Sequence, residues 1–157
     1  MEHTCCFFGH REIKISEKLT ENLSCVIERL ILSGVDTFLF GSKSKFDEAC
    51  YEAVSRAKKK YPQIKRVYVR AEFPYINEDY KKYLLEFYEG TYYPDKIDCA
   101  GKAVYVERNR EMIEKSKYCV VYCDENYKQV ARKSGTKLAL KYATMKRKCI
   151  INVFEMI

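Results

Sequence analysis

Glu107 to Phe154 reads ERNREMIEKSKYCVVYCDENYKQVARKSGTKLALKYATMKRKCIINVF. The order of patterns is helix, apolar strand, polar loop, Ser-Gly-Thr turn, helix and strand. Tyr118 to Cys123 is the most apolar run, short and bounded by polar residues, which suits a strand covered on both faces. A buried strand followed by a small-residue turn and a helix start is an arrangement with which many α/β proteins hold a phosphate. The later helix is expected over Thr136 to Lys146 with Leu138, Ala139, Tyr142 and Ala143 inward, and the closing strand over Cys149 to Phe154.

The same rhythm runs through the first half of the chain. Thr4 to Phe8 is an apolar run that stops at Gly9-His10-Arg11, so a strand and a loop are expected. Leu19, Leu23, Val26, Ile27, Leu30 and Ile31 recur at helical spacing, with Ser16 as N-cap and Gly34 as the stop. Asp36 to Phe40 reads as a strand closing on Gly41-Ser42, and Lys45 to Lys60 as a helix with Phe46, Ala49, Cys50, Ala53, Val54 and Ala57 inward. Lys65 to Arg70 is a third strand. Strand and helix alternating in this way predict an α/β fold with parallel strands and right-handed crossovers, and place the pocket at the strand C-termini.

The middle is less regular. Glu78 to Tyr88 predicts an amphipathic helix with Tyr80, Tyr83, Leu84 and Phe87 on one face, and Glu89 to Gly101 a loop or lid. Ala103 to Lys117 opens with an apolar patch and becomes a helix with Met112 and Ile113 inward. No repeat or low-complexity linker interrupts the 157 residues, which suit one domain spanning residues 1–157.

Composition narrows the function classes. The net charge is +7, which favours polyanions or phosphorylated small molecules, but it is spread along the chain. The densest run, Lys58-Lys59-Lys60, suits a helix C-terminus. No aromatic-interleaved basic stripe accompanies it, which ranks nucleic acid below a small molecule as partner. The 14 tyrosines fit a core, a stacking platform or an interface equally. The start carries no signal-peptide pattern and no apolar run is long enough to span a bilayer, so no membrane is expected. With Cys5, Cys6, Cys119, Cys123 and Cys149 inside apolar runs, free buried thiols in a reducing cytoplasm are the simplest reading of eight cysteines. There is no CxxC, and the histidines are His3 and His10 alone, so neither metal nor cofactor is expected.

Four places offer anion or polar contacts. Gly9-His10-Arg11 follows a strand end, where glycine permits close approach and Arg11 offers a guanidinium fork; a turn with a solvated arginine is the plainer reading. Ser134-Gly135-Thr136 would receive an oxyanion at a helix N-terminus, or merely cap that helix. Arg108 and Arg110 are expected in the first turn of a helix, against its dipole, and so held by a pocket anion or by Glu107 or Glu111. Asp124 follows the buried strand where ligand contacts gather, or forms a turn. Gly41-Ser42 followed by Phe46-Asp47 repeats strand, small turn and helix, with Asp47 a candidate complement to the helix dipole.

With these residues in view the chain resembles the SLOG superfamily, most closely its YpsA-like branch of small bacterial and phage proteins. The likeness rests on Cys5-Cys6-Phe7-Phe8-Gly9-His10-Arg11, Phe46-Asp47, Arg108-Asn109-Arg110-Glu111-Met112, Ser134-Gly135-Thr136 and Tyr142-Ala143, in that order. It implies a three-layer Rossmann-like fold, helices on both faces of a mainly parallel sheet, that binds a nucleotide or nucleotide-derived ligand. DprA-like DNA-binding proteins and the lonely-guy phosphoribohydrolases are more distant relatives. Those hydrolases carry an Arg-x-x-x-Met segment, matched by Arg108 and Met112, and PGGxGT followed by two glutamates. Here that run is Arg-Lys-Ser-Gly-Thr, and Leu138 and Ala139 stand at the glutamate positions. N-glycosidic cleavage needs a carboxylate, from Glu72, Asp47 or Asp124 if from anywhere.

The resemblance therefore implies a nucleotide-binding or sensing module in which Ser134, Gly135 and Thr136 meet phosphate and Arg11 and Arg108 add charge. Gly9 and Gly41 allow close approach, His10 and Ser42 are contacts, and Asn109 and Asp124 meet ribose or base. Tyr75 and Tyr105 are candidate stacking residues, with core packing the first reading of each. A nucleoside-monophosphate hydrolase or transferase is the alternative, ahead of a DprA-like DNA-associated protein. A nucleotide-type small molecule is the expected partner, and self-association into a homo-oligomer is left open.

Overall fold

The computed structural model describes residues 2–71, 77–95, 103–124 and 135–156. Six parallel strands form one sheet: β1 (Thr4–Gly9), β2 (Thr37–Phe40), β3 (Lys65–Val69), β4 (Gly90–Tyr92), β5 (Tyr118–Tyr122) and β6 (Cys149–Asn152). Their spatial order is β4-β3-β2-β1-β5-β6. The helices are α1 (Glu17–Leu32), α2 (Lys45–Lys60), α3 (Glu78–Phe87), α4 (Ala103–Lys115) and α5 (Gly135–Met145). This is a three-layer, Rossmann-like α/β fold.

The layers follow from the two-residue period of a strand. Cys5 and Phe7 of β1, Phe38 and Phe40 of β2 and Val120 of β5 face α1 and α2, against Leu23, Ile27, Phe46 and Val54. Cys6, Phe8, Leu39, Cys119 and Val121, one residue out of phase, face Met112 and Ile113 of α4 and Ala139 and Ala143 of α5. β1 pairs with β2 on one side and with β5 on the other, Cys5 opposite Tyr118 and Gly9 opposite Tyr122. Both strands are thus apolar throughout, as a sheet covered on both faces requires.

Local chemistry sets the element ends. Ser16 Oγ accepts from the Leu19 N–H at 3.1 Å and starts α1. At the other end Gly34 takes φ +107°, its N–H donating to Ile31 O and that of Val35 to Leu30 O, a Schellman closure that needs a residue at ease in that conformation. Asn152 ends β6: its Oδ1 accepts from the N–H groups of Cys123 and Phe154, and its Nδ2 donates to Cys123 O. The side-chain amide thereby continues the pairing of β5 for one more residue, and the chain turns into a 3-10 helix over Val153–Met156.

Several expectations need correcting. The segment read as a loop or lid from Glu89 contains β4, which pairs with β3 from Val67↔Gly90 to Val69↔Tyr92. Three residues beginning with glycine carry too little alternation to announce a strand. The strand expected to run to Phe154 stops at Asn152. Cys149 is exposed rather than buried, because β6 is an edge strand. On α3 only Leu84 of the predicted inner face is buried, while Tyr83 and Phe87 are 55% and 42% exposed. That helix packs at the β4 edge, where three strand residues offer little surface to cover. Leu138 is 40% exposed although read as inward. No helix among the described residues is long and apolar enough to cross a membrane.

Candidate functional site

The strand order reverses between β1 and β5: the chain moves outward through β2, β3 and β4, then returns to place β5 on the other side of β1. Loops leaving the C-terminal ends of β1 and β5 therefore part in opposite directions, and a crevice opens between them. A cavity of about 210 Å3 occupies this place, lined by Phe7, Phe8, Gly9, His10 and Arg11 from β1 and its loop. Gly41, Ser42, Lys43 and Ser44 follow from the β2–α2 connection, Asn109 and Met112 from α4, and Gly135 and Thr136 from α5. Its size is below the ~300–1,000 Å3 of pockets that enclose a whole drug-sized ligand, so it would hold only part of such a molecule.

The tertiary structure thus brings Gly9, His10, Arg11, Gly41, Ser42, Asn109, Gly135 and Thr136 around one space, although they span most of the sequence. Gly135 and Thr136 are the first residues of α5, where backbone N–H groups lack intrahelical partners and the helix dipole is positive. Thr136 is 7% exposed. Ser134 lies outside the described residues, as do Glu72 and Tyr75. Neither Arg11 nor Lys43 pairs with a carboxylate among the described residues. No aspartate or glutamate belongs to the described lining.

Two residues sit one layer behind the wall. Arg108 falls in the second turn of α4, because the helix begins at Ala103, four residues before the expected start at Glu107. The dipole argument for an anion beside it therefore lapses. Its guanidinium, 6% exposed, donates to Gly41 O and to Asn109 Oδ1 and lies 5.5 Å from the Tyr105 ring centre. It braces the floor instead of pointing a free charge at a guest. Tyr105 is 39% exposed, which sets aside core packing as its role. Asp124 donates its backbone N–H to His10 Nε2 at 2.9 Å. Burial holds His10 below the usual imidazole range, so it is neutral with Nε2 as acceptor and the proton on Nδ1. His10 was expected as a contact; with Nε2 occupied, that nitrogen is not a free base.

The glycines serve packing. A Cβ on Gly9 would overlap the Phe46 ring, and one on Gly41 would stand 2.7 Å from Met112 Sδ and 2.9 Å from Arg108 Nε. The room they spare is filled by protein side chains, whereas among the described residues nothing lies within 4 Å of a Cβ on Gly135.

Asp47 was undervalued by the sequence reading. It is 4% exposed, and its Oδ2 accepts from the hydroxyls of Ser42 and, at 2.6 Å, Ser44. Ser44 also caps α2, its Oγ accepting from the Asp47 N–H at 3.1 Å. Burial pushes the Asp47 carboxyl up to about 6, against the two hydroxyl hydrogen bonds and the charge of Arg108. The available signal was Ser44-Lys45-Phe46-Asp47, the capping-box spacing. Among the described residues no group of three or more His, Cys, Asp or Glu stands where it would hold a metal ion.

No protein-family model matches the sequence, and no curated protein does. Among solved structures the chain is similar to DNA processing protein A from Helicobacter pylori, which was solved for its single-stranded DNA binding mode. The two share a TM-score of 0.59 at 14% identity, over 94% of this chain and 63% of that one. The chain thus spans less than two thirds of its neighbour, and the likeness is one of fold.

Proposed function

We propose that this chain is a cytoplasmic binding or sensing module for a nucleotide-type ligand, of the SLOG, YpsA-like kind, which holds a phosphate at the C-terminal ends of β1 and β5. The observation that carries the reading is the lining of the switch-point cavity. Arg11, Lys43 and the first-turn N–H groups of α5 converge there, and no described lining residue is acidic. That set attracts an anion and supplies hydrogen-bond donors to it. The carboxylate needed for N-glycosidic cleavage is missing from the described lining: Leu138 and Ala139 replace the glutamates, and Asp47 lies behind Ser42 and Ser44. Holding a nucleotide fits these residues better than cutting one.

A thermal-shift screen of nucleoside mono-, di- and triphosphates tests this. A ligand present at about 100 Kd raises stability by about 2.7 kcal/mol, and Arg11→Ala and Thr136→Val should each reduce the shift. A screen in which no nucleotide stabilises the protein overturns the proposal. Release of free base from a nucleoside monophosphate, abolished by Arg108→Ala, would restore the hydrolase reading. The fold neighbour's DNA binding and the net charge of +7 favour a second reading, association with single-stranded DNA. Its mark would be oligonucleotide affinity falling steeply with salt while free nucleotides leave the melting temperature unchanged.

A further inference from the structure

The β2–α2 wall of the cavity includes Ser42, which is exposed, and Ser44, which is 5% exposed. A hydroxyl has one proton to donate and two lone pairs with which to accept. Ser44 Oγ donates to Asp47 Oδ2 at 2.6 Å and accepts from the Asp47 N–H at 3.1 Å. Ser42 Oγ donates to the same carboxylate oxygen and accepts from the Ser44 N–H at 3.3 Å. Both protons are thus committed to a carboxylate that is 4% exposed, and each oxygen keeps one lone pair for a guest. Asp47 Oδ1 has no hydrogen-bond partner among the described residues, so giving up either hydroxyl would leave a buried charge still less satisfied. While Asp47 is ionised, these two hydroxyls accept and do not donate.

Phosphate and carboxylate oxygens also only accept, so these two hydroxyls disfavour them. A sugar hydroxyl donates. We propose that Ser42 and Ser44, fixed as acceptors by Asp47, form a subsite for the sugar hydroxyls of a ribonucleotide, making the cleft select ribo- over 2′-deoxyribonucleotides. This rests on the nucleotide reading and divides the cavity between a phosphate end at Arg11, Lys43 and α5 and a sugar end at the Ser42 and Ser44 hydroxyls.

The selectivity is tied to the ionisation of Asp47. Arg108 from α4 favours the charged form and Glu48 on α2 opposes it, while Cys50 on α2 and Tyr88, just before β4, also face the carboxylate. Burial is the strongest influence and brings the titration to about pH 6. Once Asp47 is protonated on the unpartnered Oδ1, Oδ2 is a neutral carbonyl oxygen that holds the two hydroxyls less strongly than a carboxylate does, and the acceptor pair is loosened. A nucleotide's own phosphate titrates near pH ~6 as well, but equally with either sugar, so the ribo-to-deoxy affinity ratio isolates Asp47.

Calorimetric titration of ribonucleoside 5′-monophosphates and their 2′-deoxy counterparts tests the subsite. At about pH 8 the ribonucleotide should bind about tenfold more tightly, the gap expected of a single lost hydrogen bond. The gap should narrow at about pH 5, and also at about pH 8 in Ser42→Ala. Equal affinity for the two series at about pH 8, or a gap unmoved by Ser42→Ala, overturns the subsite and leaves the nucleotide reading standing. Binding of neither series overturns both.

Discussion

At Gly9 an added methyl would enter the space of the Phe46 ring, itself fully buried, and the β1 backbone is tied to β5 on that side. Neither partner has room to yield. Gly9→Ala should therefore cost ~1–3 kcal/mol or more in a urea melt. Gly135→Ala should go the other way: it opens α5 at an ordinary φ with nothing among the described residues within 4 Å, and alanine in place of glycine should gain ~0.4–1 kcal/mol. Asp47 gives a pH signature. Its folded-state carboxyl, near 6, lies above the ordinary value of 3.8, so the folded chain binds the proton more tightly than the unfolded one. The stability this brings is complete below about pH 4 and is lost as pH rises through about 6. Asp47→Asn has no charge to bury, so its melting temperature relative to wild type should rise between about pH 4 and pH 8, by the equivalent of roughly 2–3 kcal/mol. A difference that stays flat with pH would mean the carboxyl is not held in this way.

Among the elements, α1 and α3 differ in how much they bury. The spacing of Leu19, Leu23, Val26, Ile27, Leu30 and Ile31 is repaid in full, since all of them are buried. α3 has a comparable amphipathic pattern and an N-cap, Asn77 Oδ1 accepting from the Tyr80 N–H at 2.7 Å, yet buries only Leu84. Its amides should exchange with solvent at a markedly lower opening free energy than those of α1, measured by native-state hydrogen exchange. Equal protection in the two helices would show that something covers Tyr83 and Phe87. The elements visible in the sequence were those whose period continued for several turns or was flanked by caps. β4 was too short for that, and the true start of α4 at Ala103 was hidden because Ala103 to Val106 reads equally as strand or helix. That ambiguity put Arg108 in the first turn of α4 instead of the second.

For the whole molecule, the alternation of strand and helix, the caps and the small-residue turns are written in the chain from Thr4 to Asn152. They follow from sterics and from the periods of 2.0 and 3.6 residues, which act between near neighbours. The α/β class and the parallel sheet were therefore determined by the sequence itself. Strand order was not, because it depends on which distant segments pair, and it alone sets β1 beside β5 and opens the cavity between them. The character of Asp47 belongs to the same category. Ser44 and Asp47 form an ordinary helix start on paper, and only the packing of β1, α4 and the Arg108–Gly41 contact over them excludes water. Excluding water is what makes a carboxyl hold its proton near neutrality, and no pattern of neighbours along the chain records it.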